Sequence, residues 1–301
     1  MSKYATPGAF RTALTDRLRA LSARTQWTLS QLRRQFAYDR LLERLYMTDD
    51  GWVVKGAVAL LARDIGVRGS LDIDVYRAKA SNAAEADLRE AARRDLGDWF
   101  RFEVGPRRPV GDESSAVRLP VVAYIGAQEW ERFHIDLVGA DLRMTGEPDD
   151  VPPIAQIDLP ELQQNGYRAY PLVDHVADKI AATYQLYGQS HTPSTRYRDL
   201  VDLVAIARSA SVDAKQQLRS LRSEAERRGV RLPQTFDVPD RALWEPGYAR
   251  EAAQSVLADA HTLDEALAIV RRFVDPLLQG AARGRWDHES GAWIEYTIAD
   301  Q

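Results

Sequence analysis

The chain has 301 residues, 45% of them hydrophobic, and this length predicts one large or two medium-sized folded domains. No segment approaches the roughly 18 uncharged apolar residues of a membrane span, and the absence of cysteine excludes disulfides and thiolate metal sites. The net charge of -4 gives no global electrostatic case for nucleic-acid binding, although local basic patches could still serve. With no leader-like pattern near Met1, we expect a cytoplasmic protein that does not bind membranes.

Two apolar runs with helical spacing occupy the start of the chain. Phe10, Leu14 and Leu18 recur every four residues, and Thr28 can cap a second run that continues to Leu45. We therefore predict an N-terminal helical layer over residues 1–48. Three arginines fall among the apolar positions of the second run, and we interpret them as a solvated face: Arg33, Arg34 and Arg40.

A short strand, Trp52 to Val54, ends at Lys55-Gly56 and is followed by an apolar helical run. A glycine where a strand enters a helix lets a ligand approach the backbone, and the free N–H groups of the helix start favour an anion such as a triphosphate. Lys55 would add positive charge there. Such turns also occur for purely geometric reasons, so the pattern alone decides nothing.

Residues 70–76 alternate between apolar and polar side chains, which predicts a half-buried strand. Asp72 and Asp74 then point to the same face, separated by roughly 6.5 to 7 Å. Two carboxylates at this spacing repel each other unless positive charge lies between them, and a divalent cation can supply it. The alternative is a solvated strand with an acidic outer face.

A later strand, residues 132–138, has Phe133, Ile135 and Leu137 on one face and His134 and Asp136 on the other. An aspartate inside an apolar strand rarely lacks a partner, because burying an unpaired charge is costly. Asp136 is thus a candidate third carboxylate, able to polarise an attacking hydroxyl beside the metal.

Two further candidates lie on predicted helices. Lys179 lies beside the apolar stripe of a helix that begins at Pro171, where its ammonium can neutralise a nucleotide or simply extend to the surface. Asp199 and Asp202, three residues apart, share a flank of the next helix. Asp199 could merely complement the helix dipole, whereas Asp202 lies too far from the helix start for that role.

Five short motifs occur in an order that characterises a known family. They are Val53-Val54-Lys55-Gly56, Ser70-x-Asp72-x-Asp74, Ile135-Asp136, Asp178-Lys179-Ile180 and Arg198-Asp199-Leu200-Val201-Asp202-Leu203. In this order they resemble the motifs of the AbiEii-like nucleotidyltransferase toxins, which include the MenT group and belong to the polymerase-beta-type superfamily.

The resemblance implies an α+β fold. A polymerase-beta-like nucleotidyltransferase core with a mixed sheet and helices is expected over residues 49–167, and a helical C-terminal lobe over residues 168–301. It also implies metal-dependent transfer of NMP from an NTP to RNA, with the tRNA 3′ end as the expected acceptor. The cofactor would be Mg²⁺ or Mn²⁺, and a cognate antitoxin protein would restrain the toxin.

The resemblance also assigns roles by motif position. The catalytic residues implied are Asp72, Asp74, Asp136, Lys179 and Asp202; the metal ligands are Asp72, Asp74 and Asp136; and the nucleotide-binding residues are Lys55, Gly56, Ser70, Lys179 and Asp199. The matching serine is a phosphorylation target in MenT-like proteins, so Ser70 is a possible regulatory site. Whether Asp199 or Asp202 is the essential acid stays open.

One departure and two alternatives accompany this assignment. Ala57 and Val58 follow Gly56 where the family usually carries a second glycine or a serine and then a small hydroxyl residue, so backbone N–H groups would have to bind the phosphates. The same site could instead modify a protein or a small molecule. A non-catalytic member that binds NTP or a partner protein is the other alternative.

Overall fold

The computed structural model describes residues 4–47, 49, 51–109, 116–139, 143–159 and 162–296. The chain forms two compact units. Unit 1 comprises Met1–Arg63, Gly69–Leu142 and Pro148–Ala169, and unit 2 comprises Asp64–Arg68, Arg143–Glu147 and Tyr170–Gln301. Two short segments that interrupt unit 1 in sequence therefore belong to unit 2.

Unit 1 is built from four helices and eight strands within the described residues. In chain order they are α1 (Pro7–Ser22), α2 (Leu29–Tyr46), β1 (Trp52–Lys55), α3 (Gly56–Ala62), β2 (Asp72–Arg77), α4 (Ser81–Ala92), β3 (Phe100–Val104), β4 (Arg108–Pro109), β5 (Val117–Ile125), β6 (Gln128–Val138), β7 (Asp149–Val151) and β8 (Tyr167–Ala169). The strands form one sheet in the order β3-β5-β6-β2-β1-β8-β7, with β4 paired to β5. The sheet is mixed, since β2 runs parallel to β6 and antiparallel to β1.

The alternation along β5 explains why this sheet has one apolar and one polar face. Val117, Leu119 and Val121 are buried, whereas Arg118 and Pro120 between them are only partly buried. The apolar face packs with residues of α1 and α2 in one continuous core. Thr28 begins α2 with a capping box, in which its side chain and that of Gln31 satisfy each other's backbone N–H groups. The opposite face of the central strands is left to polar side chains.

The interpretation of Arg40 as a solvated residue is wrong. Arg40 and Arg44 are 2% and 0% exposed, and both donate hydrogen bonds to the buried carboxylate of Asp98 at 2.7 to 3.0 Å. Burial opposes the ionisation of Asp98, but the two guanidinium groups outweigh it and lower its pKa. The guanidinium pair needs this carboxylate, because an uncompensated buried charge is strongly unfavourable.

Unit 2 is mainly helical. It contains α5 (Leu172–Thr183), α6 (Tyr197–Ser209), α7 (Ala214–Arg228), α8 (Arg241–Ala253), α9 (Leu263–Leu278) and a hairpin of β9 (Arg285–Asp287) and β10 (Ala292–Ile294). Helix α5 packs on α7, and α6 packs on α8 and α9. Trp286 and Trp293 of the hairpin pack against Phe273 of α9.

The mixed sheet with its helices and the helical second unit confirm the predicted α+β fold class. Among the residues described, none of the helices has the length and apolar character that crossing a bilayer requires.

Replacing Asp98 with asparagine is expected to lower the free energy of unfolding by about 3–5 kcal/mol, because two buried guanidinium groups lose their counter-charge. Urea unfolding followed by circular dichroism measures the change. Glu103→Gln is the matched control, since its ion pair with Arg101 is exposed on both sides and its loss should leave the stability unchanged. Equal effects of the two substitutions would contradict this account.

Candidate active site

Four charged residues form a row across the polar face of the unit 1 sheet. Arg118 on β5 is in register with Asp136 on β6, Asp136 with Asp74 on β2, and Asp74 with Lys55 on β1. Side chains in register on neighbouring strands lie on the same face, and the strands are about 4.8 Å apart. Two adjacent carboxylates are therefore flanked by a cation on each side.

Asp72 lies two residues before Asp74 on the same face of β2, as the alternation predicts. Its Oδ1 accepts a hydrogen bond from the Ser70 hydroxyl at 2.9 Å. The backbone carbonyl of Ser70 in turn accepts a hydrogen bond from the hydroxyl of Tyr38. Tyr38 thus holds the backbone of Ser70, and the Ser70 hydroxyl orients Asp72.

Arg118 holds the third carboxylate. Its Nε and Nη2 donate to the two oxygens of Asp136 at 2.7 and 2.5 Å, and Nη2 lies 3.6 Å from Oδ2 of Asp72. The hydrogen bonds to Asp136 raise the pKa of Arg118 further, so the group is a permanent cation. Both oxygens of Asp136 are engaged by this fork.

Gly56 is required at the start of α3 because Asp74 approaches it closely. Its φ is +60°, and a Cβ at this position would lie 1.9 Å from Oδ2 of Asp74. The residue before it, Lys55, is the N-cap of α3, and a lysine side chain has no acceptor with which to cap the helix. The first turn of α3 thus keeps backbone N–H groups that its N-cap side chain does not satisfy.

The residues of this face fit a divalent cation held by two carboxylates. Mg²⁺ is commonly bound by one or two carboxylates, with water and substrate phosphates completing its shell, and Asp72 and Asp74 are half-exposed acids on one face. Asp136 differs, because Arg118 occupies both of its oxygens. Across the described ranges, no group of three or more His, Cys, Asp or Glu residues is arranged to hold a metal. The role of Asp136 as a third metal ligand stays a prediction.

The remaining predicted residues meet in unit 2. The ammonium of Lys179 on α5 donates to Asp199 at 2.9 Å and to Asp202 at 2.6 Å, so the two acids share a flank of α6 as expected. Arg68 adds a bidentate pair to Asp202 at 2.8 and 2.7 Å, and Arg196 pairs with Asp199. Lys179 is only 3% exposed, which excludes the alternative of a surface lysine.

Lys179 and Asp202 are stabilised in their charged forms despite their burial. Desolvation opposes the charge on Lys179, but Asp199 and Asp202 outweigh it and raise its pKa. Desolvation likewise opposes the charge on Asp202, but Lys179 and Arg68 outweigh it and lower its pKa. The loss of either carboxylate would leave buried positive charge in excess, whereas the loss of Lys179 would leave each carboxylate with one arginine partner.

Arg68 and Arg118 are not among the residues that the sequence motifs predict for the site. Arg68 lies two residues before Ser70, and this closeness to the Ser70-x-Asp72-x-Asp74 motif could have indicated a role in the site. Arg118 carries a weaker signal, because alternation puts it on the polar face of β5 but does not reveal which residue it faces.

Residues 40–273 match the model of a family described as the nucleotidyl transferase AbiEii toxin of type IV toxin–antitoxin systems. The chain belongs to this family. The matched range includes every predicted site residue, and membership confirms the resemblance of the motifs. No match is found among curated proteins.

Several solved structures align with this AbiEii-family chain at low sequence identity. MenT4, a nucleotidyltransferase toxin from Mycobacterium tuberculosis H37Rv, aligns over 82% of this chain and 91% of its own at 19% identity and a TM-score of 0.47. JHP933 from Helicobacter pylori aligns over 82% and 92% at 16% identity and a TM-score of 0.44. A putative nucleotidyltransferase from H. pylori aligns over 82% and 95% at 17% identity and a TM-score of 0.42.

Gly56→Ala in this AbiEii-family chain is expected to destabilise unit 1 more than the left-handed backbone alone explains. A side chain in that conformation costs about 1–2 kcal/mol, and here the new Cβ would also displace Asp74. Thermal unfolding measures the loss. Gly97→Ala is the control, because Gly97 has a φ of +67° and no atom within 4 Å of the added Cβ. The same loss for both variants would show that Asp74 does not approach Gly56.

Lys179→Met should lower the free energy of unfolding by about 1–3 kcal/mol, because Asp199 and Asp202 each lose a buried charged hydrogen-bond donor and keep only an arginine partner. Denaturant unfolding provides the measurement, and Lys215→Met, which replaces an exposed lysine of α7, is the control. If Lys179→Met unfolds like the wild type, the buried ion pairs of α5 and α6 are refuted.

Proposed function

We propose that the protein is a metal-dependent nucleotidyltransferase that transfers NMP from an NTP to RNA, with the 3′ acceptor end of tRNA as the preferred acceptor. It would act as the toxin of a type IV toxin–antitoxin pair, restrained by a cognate antitoxin protein. Membership of the AbiEii family supports nucleotidyl transfer. The observation that carries the metal dependence is the pair Asp72 and Asp74 on one face of β2, beside the glycine start of α3.

In this reaction the acceptor hydroxyl attacks the α-phosphorus, the new P–O bond forms, and the bond to pyrophosphate breaks. Asp72 and Asp74 would hold a divalent cation, which would supply positive charge where the phosphate becomes more negative. Lys55 and the backbone N–H groups of the first turn of α3 are proposed to bind the triphosphate. Because Ala57 follows Gly56, no side-chain hydroxyl contributes at that position.

Asp136 is proposed to accept the hydrogen bond of the attacking hydroxyl. A carboxylate has about four lone-pair sites, so the two hydrogen bonds from Arg118 leave acceptor capacity for it. Lys179 is proposed to contact the nucleotide. Two of the three N–H donors of its ammonium are given to Asp199 and Asp202, which fix the position of the third.

Ser70 is proposed as the site through which the antitoxin acts. Its hydroxyl now donates a hydrogen bond to Asp72. A phosphate on Ser70 would replace this attraction by repulsion between a dianion and a carboxylate, and it would disturb the proposed cation ligands.

The decisive experiment incubates the purified protein with each labelled NTP, Mg²⁺ and total RNA. We expect one NTP to label RNA at the size of tRNA, and EDTA to abolish the label. Asp72→Asn should reduce labelling by at least about 100-fold, because it removes a ligand for the cation that stabilises the transition state. Asp64→Asn, which changes an exposed acid, is the control and should label RNA as the wild type does.

Other outcomes of the same experiment would contradict the proposal. Label in protein or in a small molecule would show that the protein is a nucleotidyltransferase whose acceptor is not RNA. The absence of label with every NTP, together with growth arrest that Asp72→Asn does not relieve, would favour a non-catalytic binding protein. Growth arrest on expression that Asp72→Asn relieves and Asp64→Asn does not is the result expected of a toxin.

A further inference from the structure

The polar face of the unit 1 sheet carries two basic side chains beside its acidic residues. Asp74 and Asp136 are in register on neighbouring strands, and Lys55 and Arg118 flank them on β1 and β5. Carboxylates this close repel each other strongly unless a cation lies beside them. The chain itself supplies one such cation at each end of the row.

Arg118 is placed like a bound cation between two acids. Its guanidinium makes two parallel hydrogen bonds to Asp136 and lies 3.6 Å from Oδ2 of Asp72. The side chain of Asp136 is mostly buried, whereas those of Arg118 and Asp72 are over a third exposed. The guanidinium of Arg118 therefore contacts both the buried carboxylate of Asp136 and the more exposed carboxylate of Asp72.

This arrangement differs from a site that holds two metal ions. In such sites the metals lie about 3.5–4 Å apart and share carboxylates. Here the carboxylate best placed to serve as a third ligand has both oxygens in a guanidinium fork, and a second divalent ion beside it would meet the like charge of Arg118.

We propose that Arg118 takes the place of a second metal ion. It neutralises Asp136 permanently, so that the nucleotide-free protein binds one divalent cation, on Asp72 and Asp74, and any further cation arrives with the triphosphate. The proposal rests on the proposed cation site at these two aspartates. Arg118 is a positioning residue in this scheme, because it acts through Asp136 and through the local charge.

The test is a titration of the purified protein with Mn²⁺ in the absence of NTP and RNA, followed by electron paramagnetic resonance of free Mn²⁺. The wild type should bind one Mn²⁺ per chain. Arg118→Gln should bind two, or one at least about tenfold more tightly, because a positive charge 3.6 Å from Oδ2 of Asp72 is removed and Asp136 is released. Arg118→Lys should bind one, since it keeps the charge.

The double variant Arg118→Gln with Asp136→Asn is the matched control, and it should return to one Mn²⁺ because the released carboxylate is gone. Two Mn²⁺ ions per wild-type chain would overturn the proposal, and this measurement stands even if Arg118→Gln does not fold. A folded Arg118→Gln variant with unchanged stoichiometry and affinity would overturn it as well.

Failure of this inference is distinguishable from failure of the proposed function. If wild type and Asp72→Asn bind Mn²⁺ equally, or neither binds it, the cation site itself is refuted and the inference falls with it. If Asp72→Asn alone loses Mn²⁺ while Arg118→Gln behaves as the wild type, the cation site stands and only the role of Arg118 is refuted. RNA labelling decides the transfer activity independently of both.

Discussion

Repulsion between neighbouring carboxylates is the constraint on which the polar face of unit 1 depends. Asp72 and Asp74 share a face of β2, and Asp136 is in register with Asp74 on the adjacent strand. Three acids this close need compensation to remain ionised. Arg118 provides it at one end and Lys55 lies at the other. The charged row thus distinguishes Asp136, which a guanidinium holds at both oxygens, from the other two acids.

In unit 2, repulsion between neighbouring carboxylates is compensated by basic side chains of the same unit. Lys179, Arg68 and Arg196 together compensate the buried carboxylates of Asp199 and Asp202. A surface pair contributes little to stability, whereas the loss of either buried carboxylate here would leave buried positive charge without its counter-charge. Any nucleotide contact by Lys179 is therefore made by an ammonium whose position is already fixed. A surface lysine, by contrast, has a flexible side chain that would have to become ordered on binding.

Many positions of the candidate site residues can be predicted from the sequence, because they depend on local patterns. Period-two alternation places Asp72 and Asp74 on one face, three-residue spacing pairs Asp199 with Asp202, and the order of the motifs predicts the family. The solvated interpretation of Arg40 is wrong because its partner, Asp98, lies far away in sequence and no local pattern marks it. Charge alone says little about burial when the compensating group is distant.

The pairing of Arg118 with Asp136 depends on a detail of the hairpin that connects β5 and β6. Ile125 pairs with Gln128 across a two-residue turn, and continuing that register would put Arg118 opposite Ile135. The register shifts instead between Ala123, which pairs with Glu131, and Tyr124, which pairs with Glu129, so one extra residue of β6 is accommodated. Because a one-residue slip moves every side chain to the other face, this bulge is what brings the arginine over the aspartate and keeps both polar groups off the core. The bulge leaves one mark in the sequence, a break in alternation between Trp130 and Phe133, which are both buried but three residues apart. The charges on the candidate metal face depend on it.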